Sequence, residues 1–379
     1  MGRRTTLILA GIFALAAHPL QAAECRASAE YAGPERRAPF DIAVLPAARS
    51  IETAPVSEGL GDRLGKRFGE ILDRTNTPAA TIAVFKPGTG YWSHSSGTGA
   101  DDPRFWWAST GKLATATIIL QLVDEGKLRL DDPVAEYFPG FAQAGQATID
   151  DLLKHTSGIF SFNADVTHRQ QGGYHAPDAL LAVAARHPLD FCPGTNWNYS
   201  NTGYVMLARI AEQVEQKPFA RIVRQRIGDR VGLEGFALLE PEGAVAFERS
   251  PGNDAPSEDE LASVFGAGGI IATAGDMLAF LQAYVEGGLV PIDARNAAVT
   301  DLYPMFGGPT SYGRGIMVYD VADPAAPAVW IGHSGGTPHS RGLVIYDTTR
   351  DAYLAIALHG EAPVEAIANA LLKELDRTD

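Results

Sequence analysis

The stretch GLVIYDTTRDAYLAIALHGEAPVEAIANALLKEL, residues 342–375, carries two periodicities in succession. Gly342 to Tyr346 and Tyr353 to Leu358 are short β-prone runs separated by turn residues, whereas Val364, Ile367, Ala368, Leu371, Leu372 and Leu375 share one helical face. Ala328 to Ile331 is a third strand-like run upstream, so the segment reads as an antiparallel meander followed by a helix. The other end mirrors it. Leu60, Leu64, Phe68, Ile71 and Leu72 repeat at helical spacing, Thr77-Pro78 ends that helix, and Thr81–Phe85 and Tyr91–Ser95 flank a Pro87-Gly88 turn as a hairpin. Both terminal helices are therefore expected to cover the same sheet.

Between these ends lies a Pro- and Gly-rich region with helical stretches near Leu113–Asp124, Thr148–Lys154, Tyr204–Glu215 and Ala274–Tyr284. The expected class is α/β (α+β): an antiparallel β-sheet flanked by N- and C-terminal helices, plus an inserted mostly helical lobe. The sheet lobe is expected at about 56–108 and 266–379, and the helical lobe at about 109–265, together one domain over 56–379. Residues 253–260 read as a polar surface loop, and no internal repeat is found.

The 379 residues are 46% hydrophobic and 20% charged, an ordinary globular composition. A net charge of −14 with no basic run beyond pairs argues against nucleic acid or an anionic membrane surface as a partner. Arg3-Arg4 before the apolar run Leu7–Ala17, with small residues at Ala22-Ala23, reads as a signal peptide over 1–23, followed by an N-terminal extension over 24–55. The expected location is exported, periplasmic or secreted, with no membrane span in the mature chain because no later stretch approaches about 20 apolar residues. Cys25 and Cys192 both remain after cleavage, and whether they are bridged is left open. The histidines show no metal-ligand spacing, so no metal and no cofactor are expected.

Three segments carry candidate chemistry. Ser109-Thr110-Gly111-Lys112 opens an apolar helical run, which puts Ser109 at a helix start and Lys112 on the same face one turn on. A partly desolvated lysine loses its charge more readily and becomes a base; the ordinary alternative is a helix-capping serine with an unremarkable lysine. Tyr199-Ser200-Asn201 offers a phenol whose pKa a neighbouring cation would lower, and an amide to hold a substrate carbonyl or the lysine; the ordinary alternative is a turn. His333-Ser334-Gly335-Gly336 offers glycines that let a substrate backbone approach along a strand edge, with the Gly336 N–H joining the Ser109 N–H as an oxyanion hole; the ordinary alternative is a glycine-rich strand end with one histidine. Gly332 to Gly336 also matches Gly-x-Ser-x-Gly, but a nucleophile elbow needs a helix next, and Thr337-Pro338 follows with only about 45 residues left.

In this order the three segments resemble those of the penicillin-recognising serine hydrolases, in the branch with class C β-lactamases, D-alanyl-D-alanine carboxypeptidases, D-aminopeptidases and related esterases. Asp151 to Gly158, Pro193-Gly194 leading to Tyr204, and Ala267-Gly268-Gly269 add to the likeness, which runs from about Val56 to Gly360. The resemblance implies acylation of Ser109, proton transfer by Lys112 and Tyr199, and substrate or oxyanion contacts from Asn201, His333, Ser334, Gly335 and Gly336. It implies a structural role for His155-Thr156-Ser157. His333 stands where typical class C β-lactamases carry lysine, which removes a permanent cation. D-amino-acid peptides or carboxyl esters are therefore ranked above β-lactams as substrates, with peptidoglycan fragments among the candidate partners. The alternatives are a class C-like β-lactamase and a noncatalytic protein binding cell-wall fragments. Arg314 and Arg341 are candidate partners for a substrate carboxylate, against the ordinary reading of exposed arginines.

Overall fold

The computed structural model describes residue 25 and residues 30–377, apart from 48, 50–53, 242, 244, 253, 307 and 324–326. The leader read at 1–23 and the first residue of the loop at 253 lie outside them.

Helix α1 (Glu58–Thr75) starts where Ser57 accepts the Leu60 N–H and stops at Asn76 in the left-handed conformation. The chain then forms the hairpin β1 (Ala80–Lys86) and β2 (Gly90–Ser96). Strands β3 (Phe105–Trp106), β4 (Ala237–Leu238) and β5 (Ile270–Ala272) make a small separate sheet in the order β3-β5-β4. Strands β6 (Tyr303–Pro304), β7 (Thr310–Tyr312), β8 (Met317–Val321), β9 (Ala328–Thr337), β10 (Ser340–Asp347) and β11 (Ala352–His359) complete the main sheet. Its order is β2-β1-β11-β10-β9-β8-β7-β6, with antiparallel pairing throughout.

Side chains alternate across this sheet, and the alternation builds two cores. Ile82, Val84, Leu354, Ile356 and Leu358 pack with the α1 stripe and with Val364, Ile367, Leu371 and Leu372 of the helix Val364–Leu372. Ala83, Phe85, Tyr353, Ala355 and Ala357 face the other way, into a core shared with the helices of the inserted region. Small residues on that face let the buried helix Ala274–Val285 lie close to the sheet. Phe68 is fully buried and meets Trp92 and His94 edge-on. Phe68→Ala should cost about 3–5 kcal/mol in equilibrium urea unfolding; a loss under about 1 kcal/mol would show that α1 is not integral to this core.

Three expected boundaries move. The segment read as a polar loop over 253–260 ends in a helix, Glu258–Ser263, capped by Ser257. Strand β9 does not end near Ile331 but runs through His333-Ser334-Gly335-Gly336 to Thr337, because β10 pairs with it along that whole length. The helix expected from Tyr204 begins at Asn201. The N-terminal extension is stitched to the body: Cys25 is disulfide-bonded to Cys192, the Ala32 N–H donates to Thr195 O, and Arg37 pairs with Asp320.

Candidate active site

Ser109 sits where the chain passes from the small sheet into helix α2 (Gly111–Asp124). The Trp107 N–H donates to Ile270 O at 3.0 Å and its indole N–H to Ala272 O at 2.9 Å, which fixes the approach. Ala108 then adopts φ +50°, a left-handed conformation that costs a residue with a Cβ about 1 kcal/mol. One 3-10 turn, Ala108–Thr110, leads into α2. Strand β9 crosses directly over this turn. A Cβ added to Gly335 would lie 2.5 Å from Ser109 N and 2.8 Å from Ser109 Cβ, so only glycine permits the approach. Strand β8 stops at Met317 opposite Gly332, so from His333 onward β9 is paired within the sheet only on its β10 side.

Lys112 has no exposed surface. Its Nζ lies 3.2 Å from Ser109 Oγ, 2.6 Å from Asn201 Oδ1 and 2.5 Å from Ala267 O. Burial pushes the ammonium pKa well below its ordinary value. Asn201 is held in turn: its N–H donates to Ser161 Oγ at 2.8 Å and its Nδ2 to Asn163 Oδ1 at 2.9 Å. These contacts leave Oδ1 for the lysine, the second of the two uses foreseen for Asn201.

Tyr199 hydrogen-bonds the Ser109 side chain, and Lys112 Nζ stands 4.9 Å from its ring centroid. The expected lowering of its pKa does not occur. Burial dominates and pushes the phenol up, so the hydroxyl keeps its proton while the lysine tends to lose one.

His333 lies one layer deeper, fully buried, and burial pushes its pKa down to about 3. Its Nδ1–H donates to Ser334 O at 2.7 Å, and its Nε2 lies 3.1 Å from the Tyr312 hydroxyl, whose own hydrogen goes to the Tyr204 oxygen. The Tyr204 hydroxyl is 3.1 Å from that of Tyr312 and donates to Leu153 O at 2.9 Å. His155 is also buried and kept neutral by burial; its Nδ1 accepts the Ser200 N–H at 3.1 Å and its ring lies 4.3 Å from that of Tyr199. The sequence reading missed Tyr204, Tyr312, Ser161 and Asn163. The first two are aromatic residues that by spacing look like ordinary core, and the last two lie in a loop with no motif.

Ser109, Lys112, Tyr199, Asn201 and Gly335 thus converge, with His333 as an internal strut. By strand alternation Ser334 and Gly336 present their other face; both, together with Gly335, Arg341 and Glu361, line a pocket of about 340 Å³. Arg314 is not an exposed carboxylate receptor, because it is turned inward onto Asp150. Among the described residues no cluster suits a metal ion and no helix is long and apolar enough to cross a membrane.

Penicillin-binding protein 4 of Amycolatopsis lactamdurans is 33% identical over 253 residues, covering 61% of this chain and 65% of that protein. The D-alanyl-D-alanine-carboxypeptidase/endopeptidase AmpH of Escherichia coli K12 is 25% identical over 186 residues, covering 47% of this chain and 48% of that protein. The crystal structure of a D-stereospecific amidohydrolase from Streptomyces sp. has a TM-score of 0.72 at 26% identity, covering 80% of this chain and 97% of that one. The chain spans about a third to two thirds of the length of the curated relatives it matches. Residues 64–376 match the family described as Beta-lactamase, and the chain belongs to that family.

Proposed function

We propose that the protein is a serine hydrolase that works through an acyl-enzyme on Ser109, acting on D-amino-acid peptides or on related carboxyl esters. The observation that carries this reading is the bonding of Lys112. A neutral amine has two N–H donors and one lone pair. Asn201 Oδ1 and Ala267 O take the two donors, and the lone pair is left for the Ser109 hydroxyl at 3.2 Å.

In this mechanism Lys112 takes the Ser109 proton as Oγ attacks the carbonyl carbon. The N–H groups of Ser109 and Gly336 receive the oxyanion, and an extended acyl group lies along the free edge of β9. Tyr199 then gives its proton to the leaving amine or alcohol and is reprotonated from Lys112. Water, activated by the same pair, releases the acid and restores Ser109.

The names of the relatives, a carboxypeptidase/endopeptidase and a D-stereospecific amidohydrolase, support the substrate class. The buried neutral His333 in place of a lysine argues against a β-lactamase, which would use that cation for the substrate carboxylate. The reading places the protein outside the cytoplasm, periplasmic or secreted, supported by the leader-like residues 1–23 and the Cys25–Cys192 disulfide. Intact-mass analysis with a fluorophosphonate should show one adduct on the wild type and none on Ser109→Ala. In parallel assays a D-Ala-D-Ala peptide or a D-alanyl ester should turn over faster than a chromogenic cephalosporin. An adduct that persists in Ser109→Ala overturns the nucleophile, faster cephalosporin turnover overturns the substrate, and an unlabelled, inactive wild type favours a noncatalytic binding protein.

A further inference from the structure

Phe306 is 79% exposed, the most exposed large hydrophobic side chain among the described residues. A lone exposed apolar residue is ordinary on a protein surface. This one is not lone, and its backbone is not ordinary. It sits on the turn between β6 and β7 with φ +49°, a left-handed conformation that is rare for a bulky aromatic residue. The turn is anchored beside it: Met305 is buried and its N–H donates to Thr310 O at 2.8 Å. Strain of this kind persists where the surroundings impose it, and it gathers at sites of function.

The ring is held against two others. Its centroid lies 5.6 Å from that of Trp197 and 6.4 Å from that of Tyr199, and Trp197 and Tyr199 are themselves 6.4 Å apart. The three rings form one triangle, and one of its corners is the tyrosine bonded to the Ser109 side chain. The backbone of β9 at Gly335 also packs directly against Ser109. The nucleophile thus has both a peptide edge and an aromatic cluster beside it.

We propose that Phe306 and Trp197, with the ring of Tyr199, form a leaving-group subsite that selects substrates with a large apolar or aromatic substituent on the departing amine or alcohol. The assignment to the leaving group rests on the acyl-enzyme reading above, in which the acyl chain follows β9 and Tyr199 protonates the departing group. Covering the Phe306 ring with such a substituent removes apolar surface from water, which a methyl side chain achieves only in part.

The test is kcat/KM for two dipeptide series on the wild type, Phe306→Ala and Phe306→Trp. The first series, D-Ala-D-Ala, D-Ala-D-Leu and D-Ala-D-Phe, varies the leaving group. The second, D-Ala, D-Leu and D-Phe amides, varies the acyl group and keeps ammonia as the leaving group. The wild type should prefer D-Ala-D-Phe over D-Ala-D-Ala by about 10-fold or more, and Phe306→Ala should lose about 10- to 100-fold on D-Ala-D-Phe alone. Phe306→Trp should keep the preference, and the amide series should shift by less than about threefold in either variant. Equal loss across the leaving-group series, or a loss confined to the amide series, overturns the assignment. Fluorophosphonate labelling of Ser109 separates the two levels: labelled enzyme without the preference sinks this subsite alone, and wild type that is not labelled sinks the hydrolase reading beneath it.

Discussion

Lys112→Met is expected to lower kcat by about 10³-fold, within the 10²- to 10⁴-fold range typical of a lost general base, with KM little changed. Methionine fills the same buried volume without a proton acceptor. Lys112→Arg should be as inactive, because a guanidinium keeps its charge and cannot accept the Ser109 proton. The pair of variants distinguishes a base from a mere cation; activity retained in the arginine variant would overturn the base. The sign of the pH profile follows from the same burial. Lysine acts as a base only when neutral, and its pKa lies well below the ordinary value. The acid limb of kcat/KM should therefore fall below the pH range of an ordinary lysine and disappear from the residual rate of Lys112→Met. Thermal unfolding of Lys112→Met should show a loss of about 1–3 kcal/mol, because Asn201 Oδ1 and Ala267 O are left buried without their donor.

Acid lability is the second large effect. His333 and His155 are both buried and neutral, and His333 titrates near 3 in the folded protein. Their unfolded counterparts take a proton near pH 6.5. Between these limits the unfolded chain binds protons that the folded one refuses, so stability falls as pH falls from about 6.5 towards 3. Each histidine contributes about 1.4 kcal/mol per pH unit in its window. Protonation of His155 is resisted structurally as well: a proton on its Nδ1 forfeits the Ser200 N–H bond. The two contributions act in the same direction, so urea midpoints should drop from pH 6 to pH 4. His333→Gln should show a shallower slope over the same range by about one histidine's share. An unchanged slope would show that His333 is protonated or solvated in the folded state.

The parts of the fold that repeat were legible in the sequence. The stripe of Leu60, Leu64 and Phe68 and that of Val364, Ile367 and Leu371 have a single period each, and both became helices on one sheet face. Strand β9 was read short because His333 to Gly336 has neither β-branched residues nor alternation; its pairing comes from β10, a partner that local propensity does not contain. Ser109 and Lys112 were legible because one helical turn fixes their separation, and Asn201 because only a short motif surrounds it. The strut from His333 through Tyr312 to Tyr204 was not. Those residues are far apart in the chain, and each alone is indistinguishable from core. The sign of the Tyr199 shift failed for a related reason: a neighbouring cation was visible, but the depth of burial that outweighs it was not.

The central seam of the main sheet joins segments from opposite ends of the protein: Ala80 is opposite Leu358 and Phe85 opposite Tyr353. During synthesis β1 therefore waits with one edge bare until nearly the whole chain exists. Seams of such large sequence separation close slowly, since the loop entropy must be overcome before the pairing gains anything. Refolding from urea should accordingly be slow and concentration-sensitive, because an uncovered strand edge recruits other chains. A chain cut before Tyr353 loses more than a strand and a helix: the hairpin of β1 and β2 is left without its neighbour, and the truncated product should aggregate instead of persisting as a smaller folded domain.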